Sequence, residues 1–383
     1  MNTFLASTAA PWVIVLGFLA AALAIGLTIG RLRSRWRWAG RGLGVVLGLI
    51  AVLLAIGAGV NQVHLSSVLR ANPPRGEMVE VDGDKVRVLC EGPRTPTTLL
   101  WMAGGYEQAL WLDPLHERMK GEIRSCEIDR PGLGYSELGA LPITLDRTLQ
   151  VTHDALAKVG ETGPLIIIGH SMGGIFATNY YQAYPNQVKA IIQLDPTPYA
   201  WNNIEQPATI GCEPADDHRL LELAAMFGLA DVHALNPYYG PIEAPQRSQF
   251  DPKTWDLVVT LETQPKPMIA AATFFHTTCE DPFALIHGPG SLGDLPVLKI
   301  IQDQPPAEAL PPAPRSLSPR EHANWLAMRN SWTQEYVGDT THGTLLRAGA
   351  GWGHYFPLTH LDWTLAQIRA FIAKVNGQSS VAQ

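Results

Sequence analysis

Apolar and polar positions alternate along this chain on three different scales. The coarsest is at the start. Residues 11–30 form a run of twenty in which only Thr28 is polar, and residues 42–60 form a second run of nineteen with no polar side chain. At 1.5 Å rise per residue, a helix of this length spans roughly 30 Å, the thickness of a bilayer core. Between the runs lie Arg31, Arg33, Arg35, Arg37 and Arg41, with Trp36 and Trp38. Arginine-rich short loops stay on the cytoplasmic side, and tryptophan suits the membrane–water boundary. The pattern predicts a two-helix transmembrane hairpin over residues 1–70, with both ends outside the cytoplasm. No basic segment precedes the first run and a second run follows it, which is not the layout of a cleaved signal peptide. Gly26 and Gly30, and Gly44 and Gly48, have the small-xxx-small spacing that lets membrane helices approach closely. Residues 61–75, ending in Pro73-Pro74, read as a linker.

Beyond it the pattern shortens. Residues 77–81 and 85–90 flank Asp82-Gly83, a hairpin signal. Short apolar runs at 98–102, 123–128, 166–168, 188–194, 295–301 and 343–348 read as buried strands. Helical spacing appears at 111–120, 145–159, 175–184, 318–336 and 361–375. Strands alternating with helices predict an α/β fold with a largely parallel sheet over residues 71–383. Residues 196–290 break the rhythm, with helical spacing only near 218–229, and are expected to form a cap over the sheet. Phe227, Tyr238, Tyr239, Phe274 and Phe275 in this stretch would line a pocket or pack a core.

Composition agrees with the membrane segment: 46% of the 383 residues are hydrophobic and only 16% charged. The five arginines are the only charged residues before position 61, so the remainder is more acidic than the net charge of −7. Such a balance disfavours nucleic-acid binding.

The chemistry centres on Gly169-His170-Ser171-Met172-Gly173-Gly174, a G-x-S-x-G placed after a buried strand and before a helix. In that context the serine is pushed out of a sharp turn as a nucleophile. A hydroxyl needs a base, and a carboxylate must orient that base. His354, in Gly351-Trp-Gly-His-Tyr-Phe-Pro between the last strand and the last helix, is the candidate base. His360 is close to it in sequence but lies at the approach to the final helix, and His276, His287 and His342 have no comparable context. Two carboxylates follow strands directly enough to serve: Asp195 and Asp303. Asp195 is favoured, with Asp303 the alternative. Met172 N–H, with Gly105 or alternatively Tyr106, would form the oxyanion hole. Tyr106 and Trp111 would line the pocket or the core.

Ala103-Gly104-Gly105, the run Asp129-Arg-Pro-Gly-Leu-Gly-Tyr-Ser136, Gly169 to Gly174 and Gly353-His354-Tyr355, in that order, resemble the α/β-hydrolase superfamily over about residues 77–376. Ala103 departs from it, standing where members often carry a histidine; a backbone donor does not require that side chain. Residues Cys126-Glu-Ile-Asp-Arg130, the placement of Cys90 and Cys126, and the stretch 218–229 resemble a bacterial branch of exported or membrane-attached hydrolases. In that branch an aspartate commonly stands at the equivalent of position 195. The resemblance also implies that the strands carrying Cys90 and Cys126 are neighbours, so Cys90–Cys126 and Cys212–Cys279 are the expected disulfides. No Cys/His spacing reads as a zinc site.

The expected protein is a carboxylesterase-like or lipase-like serine hydrolase, held in the bacterial inner membrane by its N-terminal hairpin. Its catalytic domain would face the periplasm or exterior. It would need no cofactor, and would act on a small acyl substrate, a lipid-like one being a reading of the apolar cap and the anchor. An amidase or aminopeptidase of the same fold, or a silent hydrolase-fold binding module, are the alternatives.

Overall fold

A computed structural model gives the structure of the chain and describes residues 7–29, 36–105, 107–196, 219–229, 247–280, 290–302 and 340–377. Two long helices open it, α1 (Ala10–Ile29) and α2 (Trp36–Ala71). Both are candidate membrane spans by length and composition. They pack side by side. Of the four glycines expected at their contact, Gly44 is close, where a Cβ would meet Ala22 O at 3.3 Å and Gly26 N at 3.9 Å; a Cβ at Gly26 or Gly48 would meet nothing within 4 Å, and Gly30 lies outside the described residues. One expectation is corrected. Residues 61–71 are not a linker, because α2 continues without a break to Ala71. Its outer turns bury Val68 in the main core and pack Leu69 against it, and that burial keeps them helical.

The sheet has eight strands: β1 (Glu77–Val81), β2 (Asp84–Glu91), β3 (Thr98–Met102), β4 (Ser125–Ile128), β5 (Leu165–His170), β6 (Val188–Leu194), β7 (Val297–Ile301) and β8 (Gly343–Arg347). Their order is β1-β2-β4-β3-β5-β6-β7-β8, antiparallel through β1, β2 and β4, and parallel from β4 onward. Parallel strands need crossover helices, and these cover both faces. They are α3 (Asp113–Met119), α4 (Leu145–Lys158) and α5 (Met172–Ala183); α10 (Leu361–Val375), which follows the last strand, adds to the cover. Because side chains alternate along a strand, β5 serves two cores. Ile166 and Ile168 pack toward α3 and α10, with Leu112, Leu115, Leu365 and Ile368. Leu165 and Ile167 pack toward α4 and α5, with Val151, Leu156, Phe176 and Tyr180.

Three described helices lie between β6 and β7: α6 (Arg219–Met226), α7 (Pro252–Glu262) and α8 (Pro265–Glu280); a short α9 (Phe356–Thr359) precedes α10. Gln108 Nε2 donates to Val258 O at 2.9 Å, and Trp111 Nε1 donates to Glu262, both from the loop after β3. Lys266 Nζ donates to Gly134 O at 2.8 Å and Ser136 O at 2.6 Å, in the loop after β4. The insertion therefore lies over the carboxyl edge of the sheet. Phe227, at the end of α6, does not line a pocket. It is buried against Ala10, Val15 and Ala58 of the helical hairpin. Phe274 packs on Phe176, with ring centroids 5.2 Å apart. The expected helix at 318–336, Tyr238 and Tyr239, and the side chain of Phe275 lie outside the described residues.

Candidate active site

The carboxyl ends of β5, β6, β7 and β8 meet at one place. Ser171 follows β5 with φ 52° and ψ −123°, a backbone conformation that L residues adopt only under constraint. The constraint is local packing. A Cβ at Gly169 would lie 2.2 Å from Gly173 O, and one at Gly173 would lie 1.9 Å from Met102 O. Only glycine allows the strand, the turn and the first turn of α5 to approach so closely. Ser171 N–H donates to Leu194 O at 3.0 Å, and Met172, buried, opens α5 behind it.

Asp195 follows β6, also at positive φ (42°), a region aspartate tolerates better than most residues. Its N–H donates to Ile300 O at 2.7 Å. Among the described residues its carboxylate accepts from Gln302 N–H at Oδ1 (2.9 Å), from Gln302 Nε2 at Oδ2 (2.8 Å) and from His354 Nδ1–H at Oδ2 (2.6 Å). The last is the geometry that fixes an imidazole tautomer with Nε2 left to act as a base. His354 stands after β8, is about one-third exposed, and pairs with a carboxylate that is nearly buried. The other candidate acid, Asp303, lies outside the described residues. His360 is not at the site. It stacks on Trp352 at 3.6 Å, with Thr359 Oγ1 3.0 Å from its Nδ1. His276, by its side chain, and His287 lie outside the described residues, and His342 precedes β8 at its opposite end.

A second buried set of groups lies behind this one. Glu107 Oε2 accepts from Gly104 N–H at 2.6 Å and from His170 Nδ1 at 3.0 Å. His170 Nε2 lies 3.2 Å from the carbonyl oxygen of His354. Burial alone would push the Glu107 carboxyl up; the charge of His170, with the hydrogen bonds from His170 and Gly104, outweighs it and brings the pKa down to about 2. Burial alone would lower His170, and Glu107 raises it instead. The His170–Glu107 pair thus joins the loop after β3 to the loop carrying His354. Arg130 completes it. Its Nη2 donates to the carbonyls of Gly104, Gly105 (3.1 Å) and Glu107 (3.3 Å), and its Cζ stands 4.2 Å over the centre of the Phe176 ring. Burial brings this guanidinium down to about 10. In a trans peptide, N–H opposes C=O. The Gly104 carbonyl faces Arg130, so the Gly105 N–H faces away from it. Tyr106, the alternative donor, lies outside the described residues.

Trp111 is buried in an aromatic group with Phe250, Trp255 and Tyr355. Burial pushes the carboxyl of Glu262, its hydrogen-bond acceptor, up to about 8. Between the loop after β3 and α8 runs a cleft lined by Gly105, Leu133, Ile143, Phe176, Ala270 and Phe274.

Cys90 and Cys126 face each other across β2 and β4, with sulfurs 2.04 Å apart, at disulfide distance. Cys212 and the side chain of Cys279 lie outside the described residues. Among the described residues, Glu91, His116 and Glu117 come within metal-ligand reach of one another, but Lys120 and Arg75 already pair with these carboxylates at 2.8–3.0 Å.

The strand order, the strained serine turn and the inserted helices occur together in one known architecture. The chain has the α/β-hydrolase fold. The α/β-hydrolase-fold family model matches residues 112–210. An uncharacterised Bacillus subtilis protein, YbdG, is 34% identical over 122 residues, which is 32% of this chain and 38% of that protein. The lipase LipV of Mycobacterium tuberculosis is 34% identical over 106 residues, 27% of this chain and 39% of the lipase. The chain thus spans about two fifths of the length of these relatives. The Cif epoxide hydrolase of Acinetobacter nosocomialis superposes with a TM-score of 0.58 at 14% identity, covering 82% of this chain and 96% of that one.

Proposed function

We propose that the protein is a membrane-anchored serine hydrolase that cleaves a carboxylic ester through Ser171, His354 and Asp195. The observation that carries this reading is the 2.6 Å hydrogen bond from His354 Nδ1 to Asp195, which joins residues 159 positions apart at the strand edge that also holds Ser171. In the proposed cycle, Ser171 Oγ attacks the ester carbonyl and its proton passes to His354 Nε2. The oxyanion is held by the N–H groups of Met172 and Gly105. The tetrahedral species collapses, and the alcohol leaves with the proton from His354. Water then attacks the acyl-enzyme, gives its proton to His354 and releases the carboxylic acid, restoring Ser171. Asp195 stays ionised and orients the ring. A serine at the turn supports this chemistry over an aspartate-nucleophile mechanism.

In this reading the hairpin crosses the bacterial inner membrane with its arginine-rich loop in the cytoplasm, and the hydrolase domain stands on the periplasmic or outer side. The apposed Cys90 and Cys126 suit an oxidising compartment.

The test is labelling of the full chain in membranes with a fluorophosphonate, followed by peptide mapping and turnover of short acyl esters. An adduct on Ser171, and ester turnover lost in Ser171→Ala, are expected. A folded chain that neither labels nor turns over ester would overturn the reading. Turnover of amides in place of esters would move it to an amidase.

A further inference from the structure

The hairpin and the inserted helices meet at one level of the molecule. Asn61 and Gln62 are the first polar residues after the apolar run of α2. Gln62 Nε2 donates to Thr8 O at 2.8 Å, and Trp12 Nε1 donates to Gln62 Oε1 at 3.2 Å. An indole with its ring on apolar helix surface and its N–H in a polar ring is how tryptophan sits at a membrane boundary. At the same level Asn61 Nδ2 donates to Ala225 O at 3.0 Å, satisfying a carbonyl at the end of α6.

One turn further into the span, α6 and the hairpin touch through apolar groups. Phe227 and Met226 are buried with Ala10, Val15 and Ala58. A Cβ at Gly57 would come within 2.7 Å of Phe227 O, so this contact is made at backbone distance. Leu229, two residues beyond Phe227, leaves half of its apolar surface exposed. On its other side α6 packs on α8. Ala270 and Phe274 of α8 in turn line the cleft beside Gly105. Apolar side chains therefore run from the end of the hairpin, through α6 and α8, to the cleft beside Gly105.

We propose that the turn Met226–Leu229 lies in the outer interfacial layer of the bilayer, and that the site takes an acyl amphiphile resident in that leaflet. The proposal rests on the serine-hydrolase reading and on the hairpin spanning the membrane. Three independent contacts set the level: the Trp12–Gln62 pair, the Asn61 bond to α6, and the burial of Phe227 below them. A helix end packed on Val15 and Ala58 lies inside the apolar spans, at a depth where lipid is the surrounding medium. Leu229 is oriented to meet acyl chains rather than water, which accounts for its exposure. An ester withdrawn here keeps its chain against apolar surface on the way to the cleft, and loses little of the free energy that holds it in the leaflet.

The experiment uses the full chain reconstituted in phosphatidylcholine vesicles. Two substrates are compared, a long-chain fluorogenic acyl ester carried in the vesicles and water-soluble p-nitrophenyl acetate. Leu229→Asp is expected to slow the vesicle ester at least tenfold and to leave the soluble ester within twofold. Equal loss on both substrates, or no loss on either, would overturn the proposal. The second readout is independent of catalysis. Leu229→Cys carrying an environment-sensitive fluorophore, corrected for labelling of the parent chain, should be strongly quenched by lipids brominated near the top of their chains. Absence of quenching overturns the membrane placement. Absence of ester turnover in the parent chain, with quenching retained, would instead strike at the hydrolase reading.

Discussion

In the proposed reaction Asp195 and Arg130 would do different work. Asp195 would hold His354 by one oxygen of a carboxylate that also accepts from Gln302. Asp195→Asn keeps the shape but lets the amide favour the wrong imidazole tautomer, and kcat should fall by about 10³–10⁴ with KM little changed. Arg130→Lys removes the fork that turns three carbonyls of the loop after β3. A misaligned oxyanion donor costs about 10²–10³ in kcat, and steady-state kinetics on the folded variant would show it. Glu262 makes a pH prediction. Its folded pKa of about 8 lies above the ordinary 4.5, so the stability it contributes is full below pH 4.5 and is lost as pH rises through 8. Glu262→Gln should flatten the melting temperature between pH 5 and 9 and make the variant the more stable at pH 9, by more than about 1 kcal/mol. Ser171 and His354 were legible as candidates because each sits in a local motif. Glu107, His170 and Gln302 were not, because each matters only through a partner more than sixty residues away, and no short spacing records that. His170 was in plain view inside the serine motif, but nothing in the sequence pairs it with Glu107.

The elements followed the apolar pattern closely wherever that pattern was dense. The strands at 77–81, 98–102 and 188–194 and the helix at 361–375 stand where the alternation puts them. Residues 61–71 failed because Asn61, Gln62, His64, Ser66, Ser67 and Arg70 make the segment look solvated. Leu65, Val68 and Leu69 carry helical spacing within it, and this weaker signal is the one the core uses. Their removal gives a measurable consequence. Burial of Val68 and part of Leu69 is worth roughly 3 kcal/mol. A chain cut before Pro73 should melt several degrees below one cut before Asn61, by thermal denaturation in detergent. That β2 and β4 are neighbours was accessible only through the family resemblance, and their antiparallel sense not at all, since Cys90 and Cys126 have no local relation that sets their register.

On the scale of the molecule, the alternation of strand and helix was enough to give the fold class. It was not enough to give the insertion's neighbours, because the contact of Phe227 with Ala10, Val15 and Ala58 joins segments far apart in sequence that share no pattern. The same limit applies to the Arg130 loop, which depends on the sheet bringing segments together. The unbroken helix α2 has a consequence for kinetics. Its 36 residues run about 54 Å, and the last ten rise some 15 Å beyond Asn61 into the catalytic core with no hinge between. In a bilayer the domain then has no swivel, and its site stays at one height and one facing. Encounters would follow two-dimensional diffusion, with velocity set by how many substrate molecules share each unit of membrane area rather than each unit of volume. Diluting the substrate lipid with inert lipid at constant bulk amount would slow the enzyme, and adding buffer would not.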